Sequence, residues 1–346
     1  MSVNLARLTT GDVGTHLRGL AVPMAVGFVA LNSFSIADTY FVSQLGTLPL
    51  AAMGFTFPVS FAMISVGLGL GIGVSSVVSR LLGSGDRNTV QRITTHALLL
   101  GIVLGVALTM LGLATIVPVF QGLGADERTL PLIREYMEVY FLCAVFIIVQ
   151  MLGNFAIRAT GDAMVPAIIL SISAAINVIL DPLLIFGLAG FPRLELRGAA
   201  IATVVANGIT LIASTAILAH RERLIHVRYL GFEKLWDSWR QLLHIGLPAI
   251  ATNLLTPITI GIITALVAGF GPFAVAGFGV ASRVESFVLI VIFALSSSLG
   301  PFVGQNFGAS QISRVNEAVH LSSRFCVIYG LIVAVFLFVF AQPLSA

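Results

Sequence analysis

Long apolar runs, separated by short polar breaks, follow one another along almost the whole chain. A helix needs about 20 mostly apolar residues to cross a bilayer, and within lipid only helices and closed barrels satisfy their backbone polar groups. The strands of a barrel would alternate in polarity over about ten residues, and these runs do not alternate in that way. The runs therefore predict an all-α polytopic membrane protein.

The composition argues against a soluble fold, because 10% of the residues are charged whereas soluble domains carry about 25%. The mean hydropathy of +1.03 points the same way. The first apolar run is too long for the core of a signal peptide, so we interpret it as a permanent span. We predict nine spans, over residues 17–43, 51–80, 93–118, 132–157, 164–190, 197–220, 242–268, 273–304 and 318–342.

The Lys and Arg residues are unevenly divided between the two sides that these spans define. Most lie on one side, including Arg7, Arg80 and the arginines of 221–241; the other side holds Arg128, Arg134, Arg193 and Arg197. The positive-inside rule makes the basic side cytoplasmic. We therefore predict a multi-pass protein of the cell inner (plasma) membrane with a cytoplasmic N-terminus. The basic charge then reflects topology, and we expect no nucleic-acid partner.

The sequence repeats itself at a spacing of 225 residues, which places Pro23 on Pro248 and Gly83 on Gly308. Further matches fall at span starts and turns, among them Thr39 with Thr264, Gly46 with Gly271, and Gly54 with Gly279. Six predicted spans separate equivalent points, so the two halves have the same orientation. Transporters built from such parallel repeats hold their substrate between the halves.

This repeat predicts two six-helix lobes, of which the second is incomplete. The predicted organisation is a cytoplasmic N-terminus over 1–16, an N-lobe of six transmembrane helices over 17–220, a cytoplasmic linker over 221–241, and a C-lobe of three helices over 242–346. The second half contains no counterpart of spans four to six. We therefore expect the sequence to be C-terminally truncated.

Two carboxylates, Asp38 and Asp181, lie inside apolar runs, where an ionised acid costs several kcal/mol unless it is paired, protonated or hydrated. At a rise of about 1.5 Å per residue, both acids and Thr203 reach similar depths in the outer half of the membrane. Asn177 lies one helical turn before Asp181. These oxygen groups suit Na⁺ or a shared proton, and we predict a cation-coupling site at Asp38, Asn177, Asp181 and Thr203.

The plainer alternative to this coupling site is that each of these side chains only forms a hydrogen bond with a neighbouring helix. Because Asp38 aligns with Ile263 in the repeat, the acid is not needed to build the lobe.

Two other features suggest moving or substrate-binding parts. Pro23 removes a helical hydrogen bond, and with Gly27 it is a candidate hinge in the first span, although a static kink is the alternative. Arg283 and Glu285 lie within the eighth span, where they form either a structural ion pair or a second coupling or substrate-cation site.

Catalytic chemistry has no support in the sequence. We find no nucleophile–base arrangement and no cluster of His and Cys with metal-ligand spacing. We therefore predict a protein that is not an enzyme and has no cofactor apart from the coupling ion. We predict no metal site, and Na⁺ is one of two candidate coupling ions at Asp38, Asn177, Asp181 and Thr203, the other being H⁺. The expected partners are small-molecule substrates and the lipid bilayer, and the expected state is a monomer.

Several segments together resemble the multidrug and toxic compound extrusion (MATE) family along nearly the whole chain. They are Pro23 with ADTYFVSQLG (37–46), RATGDAMVP (158–166), INVILDPLLIFG (176–187), RGAAIATVVAN (197–207) and FVGQNFGAS (302–310). The resemblance implies a twelve-span, two-lobe exporter that exchanges cationic or amphipathic compounds for Na⁺ or H⁺. It also implies that Asp38, Asn177, Asp181 and Thr203 match the N-lobe cation site, and that Pro23 matches the bending position of the first helix. The segment RVE (283–285) resembles the DNA-damage-inducible-type branch of this family.

Two alternatives to a drug antiporter remain open in the sequence. One is a lipid-linked saccharide flippase of the same architecture, which we would expect to carry more intramembrane Arg and Lys than Arg283 alone. The other is a membrane protein that truncation has made inactive. The sequence leaves open the choice between Na⁺ and H⁺ and the identity of the substrate.

Overall fold

The computed structural model describes residues 6–230 and 233–339. Within these residues the secondary structure is helical and contains no strand, which confirms the all-α prediction. In this described part of the chain, eight helices are long and apolar enough to cross a membrane, and there are up to nine spans if one bent pair is counted as a single span. The α-helices are α1 Val13–Ser43, α2 Thr47–Ser84, α3 Arg87–Gly122, α4 Thr129–Leu142, α5 Ala144–Ala159, α6 Met164–Phe186, α7 Glu195–Ala216, α8 Leu235–Ala268, α9 Pro272–Gly308 and α10 Ile312–Val339.

The fourth span, predicted over 132–157, consists of two helices. Helices α4 and α5 meet at Cys143 with a bend of 45°. The bend frees the carbonyl of Phe141, which accepts a 2.7 Å hydrogen bond from the Thr109 hydroxyl of α3. A Cβ at Gly105 of α3 would lie 2.6 Å from the Cα of Val145, so α3 approaches the bent span almost backbone to backbone. A side chain that inserts into the helical hydrogen-bond ladder is a recognised cause of such bends.

The sequence repeat corresponds to a structural repeat. Helices α2 and α9 begin at equivalent positions, and so do α3 and α10. The residues before α2 and α9, Gly46 and Gly271, both have a positive φ, of 118° and 100°. Only glycine adopts this backbone conformation without strain. The repeat therefore preserves the local geometry that starts the helix, as well as the sequence.

The two lobes are in close contact on the basic side. A Cβ at Gly83 of α2 would lie 2.8 Å from the carbonyl carbon of Gln305, and a Cβ at Gly308 of α9 would lie 2.9 Å from the carbonyl carbon of Arg80. Arg80 and Gln305 are themselves equivalent in the repeat, so the same contact occurs twice, once from each lobe. At the other ends of α2 and α9, a Cβ at Gly54 or Gly279 would meet no atom of the described chain within 4 Å. The lobes are thus in close contact on the basic side, and Gly54 and Gly279 do not make an equivalent contact at the other ends of these helices.

The segment before α1 holds this contact in place. The amide of Leu8 donates to Gln305 Oε1 at 3.0 Å, and Leu8 is 2% exposed. Arg314 of α10 donates to the carbonyls of Gly11 and Leu8, at 2.7 and 3.2 Å, and to Asn306 Oδ1 at 2.8 Å. The predicted cytoplasmic N-terminus over 1–16 is therefore not a free tail in its described part. We call residues 8–11 with Gln305, Asn306 and Arg314 the N-terminal clasp.

The clasp makes a first testable prediction. Arg314→Met keeps the length of the side chain but removes every donor, and hydrogen bonds to charged groups contribute about 1.5–3 kcal/mol each. We expect amide hydrogen exchange in residues 8–11 to become about 30-fold faster, which corresponds to ~2 kcal/mol of lost protection. Arg324→Met is the matched control, because Arg324 is an exposed residue of the same helix. Equal exchange in both variants would contradict the role of Arg314 in the clasp.

Candidate cation-coupling site

The predicted acids belong to two helices that pack against each other, α1 and α6. Asp181 lies near the end of α6 and is 0% exposed, and Asn177, one turn earlier, is 3% exposed. Asp38 lies near the end of α1 and is half-buried. The two carboxylates are close enough for the charge of Asp38 to act on Asp181. The structure thus brings both acids and Asn177 into one region of the N-lobe.

Three acceptor oxygens in this region lack donors. Both carboxylate oxygens of Asp181 and the Oδ1 of Asn177 are buried and have no hydrogen-bond partner among the described residues. Asn177 Nδ2 donates to the carbonyl of Ser173 at 2.9 Å, so the amide oxygen is the part of this side chain that stays unsatisfied. A buried acceptor without a partner costs about 1–3 kcal/mol, and more if it is charged. This donor-free oxygen set therefore fits a small cation or a proton.

Thr203 is less directly connected to the acids. It lies on α7, is half-buried, and its hydroxyl donates to the carbonyl of Ala199 at 3.2 Å within its own helix. Helix α7 packs against both α6 and α1, and the hydroxyl oxygen retains its capacity to accept or to ligate. The role of Thr203 at the site stays a prediction.

Two tyrosines of α4 belong to the same region and were not predicted. Tyr136 and Tyr140 stack with ring centroids 5.7 Å apart, and each is 6% exposed. The charges of both acids act on Tyr136, and that of Asp38 acts on Tyr140. The sequence signal that could have identified these tyrosines is their spacing of one helical turn within an apolar span. Phenol hydroxyls are donors, so these residues are suited to hydrogen-bonding an ionised acid.

The surroundings of the acids are apolar. The rings of Phe41 and Phe186, at the ends of α1 and α6, meet edge to face at 6.4 Å. These rings, with Val42, Ile185 and Tyr136, belong to one hydrophobic cluster. Because low-polarity walls weaken screening, a cation that binds there interacts strongly with the carboxylates.

The candidate hinge lies in a helix that is continuous in this structure. Pro23 is inside α1, and the neighbouring Val22 and Val26 are 62% and 60% exposed. Gly27 is buried, and a Cβ there would lie 3.2 Å from the Cα of Ala167 on α6. Gly27 therefore provides a close contact between α1 and α6. Bending at Pro23 stays a prediction.

The second candidate pair is exposed. Arg283 and Glu285 of α9 form no ion pair with each other or with any other described residue. The structure thus gives no support to a structural ion pair at this point. In the described residues there is also no group of three or more His, Cys, Asp or Glu side chains that could hold a metal ion.

Comparisons with known proteins agree on one family. The family model described as MatE matches residues 23–183 and 248–346. A Shewanella oneidensis protein named FAD transporter is 42% identical over 339 residues, which cover 98% of this chain and 75% of that protein. The multidrug export protein MepA of Staphylococcus aureus is 28% identical over 292 residues, which cover 84% of this chain and 64% of MepA. This chain therefore spans three quarters of the first relative and less than two thirds of the second.

Solved structures give the same picture. A MATE transporter of Vibrio cholerae, VcmN, solved as an aspartate-to-asparagine mutant, is 30% identical, with a TM-score of 0.91 over 96% of this chain and 74% of VcmN. A MOP superfamily transporter from Pyrococcus furiosus is 26% identical, with a TM-score of 0.90 over 98% of this chain and 75% of that one. The arrangement of helices is thus that of known transporters.

Proposed function

This chain belongs to the MatE family of membrane transporters, and on that premise we propose that it is a cation-coupled antiporter that exports small molecules across the inner (plasma) membrane. The observation that carries the proposal is the set of donor-free buried oxygens on Asp181 and Asn177, close to a second acid, Asp38. Intramembrane acids of this kind mark ion or proton pathways. The chain acts as a transporter in this proposal and not as an enzyme.

The proposed cycle couples the charge at this site to the packing of α1. Na⁺ or H⁺ enters from the side opposite the basic one and neutralises Asp38 and Asp181. Helix α1 then repacks against α6, with Pro23 and Gly27 as the pivot, and the substrate is released. Linkage requires that ion and substrate weaken each other's binding by the same factor. The basic side, on which the lobes are in contact, is cytoplasmic in this proposal, so the described conformation is the one that is closed towards the cytoplasm.

Cationic or amphipathic compounds are the first substrate class. The relative MepA is named a multidrug export protein. Large apolar side chains along α2 and α8 are exposed in the described conformation, among them Phe57, Phe61, Ile258 and Ile262. Apolar walls with few fixed polar groups suit varied amphipathic substrates.

Flavin adenine dinucleotide is the second candidate substrate, and the identity of 42% to a named FAD transporter favours it over the drug class, whose named relatives are 26–28% identical. The pyrophosphate of FAD requires a cation. Arg283 is exposed and free of ion pairs with described residues, and guanidinium groups bind phosphate oxygens bidentately. Arg283 is the residue that we assign to this contact.

The proposal is tested in liposomes that contain the purified chain. Export of FAD and of a cationic dye is measured under a Na⁺ gradient and, separately, under a pH gradient. We expect one of the two gradients to drive export, with FAD as the better substrate.

Arg283→Gln should weaken FAD export about tenfold, the equivalent of ~1.4 kcal/mol, and leave dye export unchanged. Arg240→Gln, on the exposed basic end of α8, is the matched control. Absence of gradient-driven export for both substrates would overturn the antiporter proposal.

A further inference from the structure

A cavity of about 590 Å³ lies on the basic side, outside the region of the acids. It is formed by the start of α3, the end of the sixth span and the segment that follows that span. This segment connects the two lobes. The lining residues are Arg87, Asn88, Gln91, Ala219, His220, Arg223, Ile225 and His226.

No acidic residue lines the cavity, and the acidic residues next to the lining residues in the sequence, Asp86 and Glu222, have other partners. The Glu222 side chain is 0% exposed and pairs with Arg7 at 3.2 Å and with Arg221 at 3.6 Å. Asp86 caps α3, and hydrogen bonds from the side chain and backbone of Thr89 lower the pKa of its carboxyl. Neither Arg87 nor Arg223 forms an ion pair with a described residue. The cavity therefore has an uncompensated positive charge.

The two residues next to Arg223 in the sequence, Glu222 and Leu224, hold this wall of the cavity in place. Leu224 is 0% exposed within the core of the N-lobe, and its amide donates to the carbonyl of Leu218 at 2.8 Å. Glu222 is buried on the other side. Because both neighbours point inward, Arg223 is exposed, and its backbone carbonyl accepts a 2.8 Å hydrogen bond from Gln91 Nε2 of α3. The cavity is thus built from two elements that are already joined to each other.

Two backbone irregularities occur in this wall. Arg223 has φ of 53°, in the left-handed region, which is unfavourable for a residue with a Cβ. The last turn of the sixth span, Ile217–Arg221, is a π-helix, and it carries His220 to the cavity. Strained residues and π-turns persist where packing or function requires them. Here the two irregularities place the side chains of Arg223 and His220 at one cavity.

We propose that this cavity binds a phosphate group, held by the guanidinium groups of Arg87 and Arg223 and by the amide of Asn88. Arginine pairs bind phosphate bidentately and more strongly than neutral donors do. The cavity lies at the ends of membrane spans on the basic face, where basic pockets between helices accept anionic lipid headgroups. The phosphate diester of an anionic phospholipid is one source of the group, and a free phosphate ester is the other. Either ligand would join α3 of the N-lobe to the segment that connects the lobes.

The test compares charge removal inside and outside the cavity. Native mass spectrometry measures the dissociation constants of short-chain phosphatidylglycerol and phosphatidylcholine for the full chain in detergent. We expect Arg87→Gln with Arg223→Gln to weaken phosphatidylglycerol binding at least tenfold and to leave phosphatidylcholine binding unchanged. The control is Arg18→Gln with Arg240→Gln, which removes the same charge from exposed positions near the starts of α1 and α8. Equal losses in the two double variants would overturn the proposal, because they would indicate only a general attraction to the basic face.

Two further arms keep the result interpretable. Arg87→Lys with Arg223→Lys preserves the charge but not the bidentate geometry, so we expect an intermediate affinity and normal folding. Glycerol phosphate, added to the protein in a neutral detergent, distinguishes the sources of the phosphate. Displacement of phosphatidylglycerol by glycerol phosphate supports a site for free phosphate esters, and resistance to displacement supports a lipid site. Binding that none of the arginine variants alters would contradict both sources.

Discussion

Asp181→Asn is expected to weaken gradient-driven export strongly and to leave the protein folded in the membrane. Asparagine has the shape of a protonated aspartic acid, so it fits the same space but can neither bind Na⁺ through a charge nor release a proton. Coupling free energies in allosteric proteins correspond to about 5- to 150-fold effects, and we expect export under the driving gradient to fall by a factor in this range. Asp38→Asn should do the same, because Asp38 is close enough for its charge to act on Asp181.

The thermal stability of the Asp181→Asn variant has a predicted sign. Both oxygens of Asp181 are buried without donors, and an unpaired buried charge is costly. Its removal should leave the unfolding temperature unchanged or raise it. The matched control is Asp237→Asn, the same change at an exposed position near the start of α8, which should not affect export. Full gradient-driven export by Asp181→Asn, measured in the liposome assay, would exclude the proposed coupling site.

The large elements of the fold follow from local sequence signals. Apolar runs predict the spans, and the repeat predicts that Gly46 and Gly271 start equivalent helices. The depth of Asp38 and Asp181 follows from helix rise alone. Each of these inferences needs only spacing along one helix or a comparison of two segments, which is why it is accessible without a structure.

The features that were not predicted depend on contacts between different helices, which the sequence does not show. The bend at Cys143 depends on a hydroxyl of another helix, that of Thr109, which satisfies the carbonyl of Phe141. Tyr136 lies on α4, which is a separate helix from α5, and the sequence does not show that α4 brings this side chain close to the acids. The buried Leu8 of the clasp lies in a segment whose composition is polar overall. None of these positions carries a periodic pattern that would predict its partner.

Gly308→Val is expected to prevent closure of the lobes on the basic side. The added side chain would occupy the position of the Arg80 backbone, and this contact is made across the two lobes. Overpacking costs about 1–3 kcal/mol. Because the clash exists only when the lobes are in contact on this side, the closed conformation should lose about 5- to 150-fold in population, at one factor of ten per 1.4 kcal/mol. Gly83→Val should act in the same way, since the repeat places it in the equivalent contact.

Spin labels on cysteines at the exposed positions Ser84 and Ser313, with Cys326 replaced by Ser, report the distance between the lobes on this side. We expect a single short distance in the parent chain and a longer distance as the main population in Gly308→Val, together with slower export. Gly330→Val is the control, because a Cβ at Gly330 would meet no atom of the described chain within 4 Å. An unchanged distance distribution in a folded Gly308→Val variant would mean that the glycine contact does not set the equilibrium between the two conformations. The pair of repeat-related glycines would then serve only helix packing, and closure on the basic side would depend on the N-terminal clasp.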